Sequence, residues 1–132
     1  MNSKSKNKLP EIIKQVGFDF HWDEKKVWVL DVPVEEMDIE ELEWHFEIPF
    51  WFTPGGFYDL TPNQVLEDPE KYNEEFERIM KADLSFPLDI MLKGDRWVLL
   101  DGLHRLAKAK QKGMEKVKVR KISSQFIPLI ER

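Results

Sequence analysis

Leu88-Asp89-Ile90-Met91-Leu92-Lys93-Gly94-Asp95-Arg96-Trp97-Val98-Leu99-Leu100-Asp101-Gly102-Leu103-His104-Arg105-Leu106-Ala107 is the stretch that decides the architecture. Leu88 to Leu92 and Trp97 to Leu100 are strand-like runs, and Gly94-Asp95 between them suits a tight hairpin turn. After Asp101-Gly102 the period changes. Leu103, Leu106 and Ala107 have helical spacing, and Gly113 ends that helix. Val117 to Ile122 is the next β-rich run. Helix, strand, hairpin, strand, helix, strand is the order of an α/β (α+β) domain: a mixed sheet with packed helices.

Upstream, Thr61-Pro62-Asn63-Gln64 supplies a cap, a proline at the first helical position and a closing Gln. Asp68-Pro69 restarts the helix. Tyr72, Phe76, Ile79 and Met80 then share one face, running to about Ala82. Asp38-Ile39-Glu40-Glu41 predicts an N-cap and a short helix to about Phe46. Pro49 and Pro54 bracket the aromatic stretch Phe50-Trp51-Phe52, which reads as an apolar loop packed under the domain edge or forming a ligand wall. Val27 to Val32 reads as a largely buried strand, and Asp23-Glu24-Lys25-Lys26 as the turn before it. Leu9, Ile12, Ile13 and Val16 predict a first helix stopped by Gly17.

The 132 residues suit one domain, with Trp 5 and Phe 9 supplying large core contacts. The expected division is a disordered N-terminus over residues 1–8 and a single domain over 9–132. With Cys 0, disulfides, thiolate metal sites and cysteine nucleophiles are excluded. The apolar runs are far too short to span a membrane, and Met1 to Lys8 lacks an apolar signal region, so a cytoplasmic location is expected. The net charge of −5 conceals an asymmetry. Residues 1–92 balance to −12 and residues 93–121 to +7. Residues 93–121 are therefore a candidate nucleic-acid surface, although Lys108, Lys110, Lys112, Lys116 and Lys118 read equally as a solvated face.

The chemistry concentrates where the strand turns into the helix. The first backbone N–H groups of a helix have no intrahelical partner, and with the helix dipole they form an anion site. Gly102 lets a ligand approach the backbone. His104 and Arg105, both in the first turn, are misplaced cations unless a phosphate or carboxylate completes the set. Asp101 could cap the helix, orient His104 or hold a metal, and a cap is the default role for Asp there. Singly, His104 reads as an ordinary histidine and Arg105 as a surface ion-pair donor. The cluster carries the functional reading.

Asp101-Gly102-Leu103-His104-Arg105-Leu106-Ala107-Lys108-Ala109, with Gly113 and Val117-Lys118-Val119-Arg120 downstream, resembles the signature of the ParB/sulfiredoxin-like superfamily. Its Gly-x-x-Arg-x-x-Ala type pattern falls on Gly102-Leu103-His104-Arg105-Leu106-Ala107, with the Gly and Arg three apart. The order of elements fits from about Val27 to Ile122, and the specific matches lie in Pro87–Ile122. The resemblance implies a mixed sheet with packed helices and a nucleotide site in which Gly102, Leu103, His104 and Arg105 contact phosphate. It implies ATP or CTP with Mg²⁺ as ligand, and Asp101 and His104 as catalytic residues of a phosphotransferase or nucleotide hydrolase. Sulfiredoxin chemistry is excluded, because Leu103 stands where that enzyme has its Cys. A free-serine kinase in the superfamily has a similar Asp-Gly-His-His-Arg segment, from which this chain departs at Leu103. The resemblance does not extend to specific matches in the acidic insert between Glu35 and Asp83.

The competing reading is a non-catalytic nucleic-acid- or protein-binding module, using residues 93–121 and stacking bases on Phe50–Phe52. A degenerate family member acting as a partner-binding subunit is the third. Asp83, before Ser85 and Pro87, is a candidate base or metal ligand, with a turn-forming role as its ordinary reading. His21, His45 and His104 lack metal-ligand spacing, and His45 between Trp44 and Phe46 reads as structural. Glu35, Glu36, Glu40, Glu41, Glu43 and Glu47 read as a solvated helix face. No metal site held by the protein alone is expected, and the sequence does not set the oligomeric state.

Overall fold

The computed structural model describes residues 10–132. The expectation for residues 1–8 lies outside the described residues, as does Leu9. The helices are α1 (Glu11–Gln15), α2 (Glu24–Trp28), α3 (Pro62–Glu67), α4 (Asn73–Lys81), α5 (Leu103–Gln111) and α6 (Ile127–Ile130). The strands are β1 (Val34–Asp38), β2 (Leu88–Lys93), β3 (Arg96–Asp101) and β4 (Lys116–Lys121), and Ile39–Glu47 forms a 3₁₀ helix. The four strands make one mixed sheet in the order β1-β4-β2-β3. β2 pairs antiparallel with β3 and parallel with β4, while β1 pairs antiparallel with β4.

The hairpin forms as expected. Lys93 pairs with Arg96 across Gly94-Asp95, and Gly94 has a φ of 64°. A glycine with positive φ at the first turn position matches the strand twist. Alternation along the strands then builds a core on each face of the sheet, beside a third cluster of Ile13, Phe18, Ile48 and Val98. Leu88, Ile90, Leu99, Val117 and Val119 face α5, α3 and the 3₁₀ helix in the main core. Met91, Leu100 and Ile122 pack on the opposite face with Val27 of α2 and Ile130 of α6.

Four expectations fail upstream of the hairpin. Val27 to Val32 is not a strand. Asp23 accepts a hydrogen bond from the Lys25 N–H and caps α2, so the presumed turn is a helix. Val29 is 82% exposed, and the chain pairs with the sheet only from Val34. A β-branched run says that a segment can pack on a surface, not that it joins the ladder. Glu35 and Glu36 accordingly lie on β1 rather than on a helix. The fourth is Met80, which is exposed; Glu75 takes a buried place on α4 instead.

Other local signals hold. Thr61 and Gln64 form both halves of a capping box. Gly113, with a φ of 75°, follows α5, and Gly17, with a φ of 115°, follows α1. Asp38 precedes the 3₁₀ helix but makes no side-chain cap.

His45 is fully buried and structural. The Leu99 N–H donates to its Nε2 at 3.0 Å, which leaves the proton on Nδ1 to donate to the Leu42 carbonyl at 2.8 Å. The nearby Trp44 Nε1–H donates to the Trp97 carbonyl. These side chains occupy backbone groups of edge strand β3 that another chain could otherwise pair with. Burial lowers the His45 pKa from 6.5 to about 4, with Arg96 adding to the effect. The folded state therefore holds the ring neutral while the unfolded chain takes up a proton below its ordinary pKa. Stability is expected to fall by about 3 kcal/mol as pH drops from 6.5 to about 4, and this slope disappears in His45→Gln. Urea midpoints across that range check it; parallel curves for the two proteins would contradict it.

Candidate functional site

A cleft of about 610 Å³ lies at the start of α5, lined by Asp101, Gly102, Leu103, His104 and Arg105 together with Trp51, Arg78, Lys81 and Asp83. The topology explains the gathering. β3 delivers Asp101, Gly102 makes the turn, and α4 lies alongside α5 so that Arg78 and Lys81 reach the same mouth. Gly102 is the N-cap, with a φ of 112° and no side-chain cap. A Cβ there would stand 2.6 Å from Leu88 Cδ2, so both the backbone angle and the close approach require glycine. No side chain or backbone carbonyl among the described residues takes the N–H groups of Leu103 or His104. They are open donors at the positive end of a nine-residue helix.

Asp101 does not cap this helix, contrary to expectation, and it does not orient His104. Its Oδ2 accepts from Arg105 Nη2 at 3.0 Å and from Trp28 Nε1 at 2.7 Å. The left-handed turn at Gly102 shifts the cap by one residue, and Asp101 pairs with the arginine one turn on. Arg105 Nη1 also donates to the Pro87 carbonyl at 2.6 Å. Its guanidinium is thus anchored in the wall, where it supplies positive charge rather than a free fork.

The residue that orients His104 is Glu75, which sequence reasoning missed. His104 Nε2–H donates to Glu75 Oε1 at 2.6 Å, and Arg78 Nη1 donates to Glu75 Oε2 at 3.0 Å. A carboxylate only accepts, so the imidazole proton in the neutral ring sits on Nε2 and Nδ1 carries a lone pair. The ring is stacked on Trp51, centroids 4.7 Å apart and planes 17° from parallel. Buried carboxylate, oriented imidazole and stacked indole hold His104 from three sides.

The other candidates divide. Asp83 Oδ1 accepts from Ser85 N and Oγ, which lowers its pKa and gives it the expected turn role, although it also lines the cleft. Within the aromatic stretch, Trp51 is buried in the core, as packing under the domain edge predicts, and also lines the cleft, while Phe52 is exposed. Lys110, Lys112, Lys116 and Lys118 are exposed, as a solvated face would be, and three of the five lysines from Lys108 to Lys118 make bonds within the fold. Lys108 donates to the Ala82 carbonyl, Lys110 to Glu43 and Lys116 to Asp38.

Among the described residues, no group of three or more His, Asp or Glu side chains is placed to hold a metal ion. No helix of the described residues is long and apolar enough to cross a membrane. Comparison with known proteins found no matching family model, no significantly similar curated protein and no significantly similar solved structure.

Proposed function

We propose that the cleft at the start of α5 binds the phosphates of a nucleotide, and that the domain is a ParB/sulfiredoxin-like phosphotransferase or nucleotide hydrolase. The observation that carries this reading is the pairing, in one cleft, of open helix N–H donors with a histidine oriented by a buried carboxylate. The donors suit an anionic oxygen, and Arg105, Arg78 and Lys81 add positive charge around it. His104 Nδ1 is a base that faces no protein partner among the described hydrogen bonds. It would take a proton from the attacking hydroxyl or water, while Glu75 stabilises the imidazolium that forms. Catalysis of this kind is mainly positioning and charge stabilisation.

The donor set fits ATP or CTP phosphates. Mg²⁺ would enter on those phosphates, with Asp83, whose Oδ1 accepts from Ser85, as a carboxylate of the lining. Asp101, engaged by Arg105 and Trp28, serves as a positioning residue. The non-catalytic nucleic-acid reading is weakened by the balance of −12 over residues 1–92.

Calorimetric titration with ATP, CTP, GTP and inorganic tripolyphosphate, with and without Mg²⁺, tests the binding step. The expected result is salt-sensitive binding, weakened about tenfold in the Arg78→Ala/Lys81→Ala double variant. If neither a nucleotide nor tripolyphosphate binds, the reading fails and a binding module takes its place.

A further inference from the structure

A second hollow, of about 510 Å³, lies on the other side of the Asp101–Arg105 pair, lined by Trp28, Phe86, Pro87, Asp89 and Arg120. Its rim is aromatic and open: Trp28 is 55% exposed and Phe86 62%. Trp28 is nonetheless pinned, because its Nε1–H donates to Asp101 Oδ2 at 2.7 Å. An exposed indole held in one orientation is a ready stacking platform. The floor is polar. Asp89 is 3% exposed, and its Oδ1 accepts from Arg120 Nε at 2.7 Å. Its Oδ2 has no protein partner, and no side-chain oxygen in the described fold is both fully sealed from solvent and unpaired. Asp89 Oδ2 therefore opens into the hollow. Asp101, its cross-strand neighbour, likewise has Oδ1 unused.

We infer that this hollow takes a flat, uncharged heteroaromatic ring bearing an amino group, the nucleobase of the ligand whose phosphates sit at α5. The inference rests on the phosphate reading for the rest of the molecule. Three features choose this occupant. The aromatic rim suits a π-face, as base–aromatic stacking does in single-stranded nucleic-acid sites. The unused carboxylate oxygens accept N–H bonds and repel a carbonyl. The charges balance, Asp89 against Arg120 and Asp101 against Arg105, so the floor does not call for a full organic cation. Phe86, Asp101 and Arg105 line both spaces, so one molecule can reach from one to the other.

The test is calorimetry on the full chain with seven ligands and three variants. ATP and CTP carry the amino group; ITP and UTP have a carbonyl in its place. Inorganic tripolyphosphate carries phosphate alone. ATP and CTP are expected to bind at least tenfold tighter than ITP and UTP respectively. Trp28→Ala is expected to weaken ATP or CTP by about tenfold and to leave tripolyphosphate unchanged, Phe86→Ala to weaken ATP or CTP likewise, and Trp28→Phe, which keeps a π-face without the N–H to Asp101, to restore part of the loss. Equal affinity for amino and carbonyl bases, or nucleotide binding indifferent to both alanine variants, overturns the base site while tripolyphosphate binding keeps the phosphate reading. Tripolyphosphate that does not bind, with adenosine still binding in a Trp28-dependent way, supports the hollow and removes the phosphate reading alone. Choline binding that Trp28→Ala abolishes, with no nucleotide binding, overturns the inference in favour of an organic cation.

Discussion

Arg120→Met is expected to destabilise the domain by about 3–5 kcal/mol at pH 7, a large share of the stability of a domain this size. Arg120 uses all three of its nitrogens. Nε donates to Asp89 Oδ1 at 2.7 Å, Nη1 to the Leu30 carbonyl and Nη2 to the Val27 carbonyl, each at 2.8 Å. It ties α2 and the segment after it to the sheet, and it compensates the Asp89 charge. Burial already pushes the Asp89 carboxyl above its ordinary value, with Arg120 opposing that push. Removing the guanidinium leaves a buried carboxylate and two carbonyls without their donor. Sign follows from that cause. The orphaned carboxylate takes up a proton as pH falls, so the deficit shrinks toward acid pH. Asp89→Leu combined with Arg120→Met is expected to recover part of the loss, since no orphaned charge remains. Urea unfolding of the single and double variants measures both effects. A single-variant loss below about 1 kcal/mol would mean that the pair is solvated and does not anchor α2.

His104→Gln is expected to reduce nucleotide turnover by about 10²–10⁴-fold while leaving affinity within a few-fold. The split matters more than the size. In the proposed site the phosphates rest on backbone N–H groups and neighbouring cations, which the substitution leaves in place. The lone pair at Nδ1 is lost. Glu75→Gln is expected to act in the same direction, because an amide cannot stabilise the imidazolium as a carboxylate does. Phosphate release under saturating nucleotide, together with calorimetric affinity, separates the two effects. Unchanged turnover in His104→Gln would remove the base assignment, whatever the affinity.

Legibility in the sequence followed the range of the interactions. The hairpin around Gly94, the capping box at Thr61 and the stop at Gly113 are fixed by neighbours a few residues away, and each was readable. The strand-to-helix turn at Gly102 was readable for the same reason. The segment from Val27 to Val32 was not, because its fate depends on Arg120, whose hydrogen bonds to Leu30 and Val27 span 90 and 93 residues. The role of Asp101 failed for a subtler reason. Whether it caps α5 depends on the left-handed φ of Gly102, which makes Gly102 the N-cap in its place. Glu75 left a trace that periodicity could have caught. It lies three residues after Tyr72 and four before Ile79, a carboxylate within the apolar stripe of α4. Its partner His104, 29 residues away, and the stacking of His104 on Trp51 have no local signature.

The central claim is that the start of α5 receives phosphate. Its most direct test is the backbone amide NMR spectrum during titration with inorganic tripolyphosphate and then with ATP. The account predicts that the Leu103, His104 and Arg105 amides move first and furthest, with the Gly94–Asp95 turn at the far end of the hairpin unmoved. Shifts scattered over the surface lysines, or none at the three α5 amides while the ligand binds elsewhere, would contradict it.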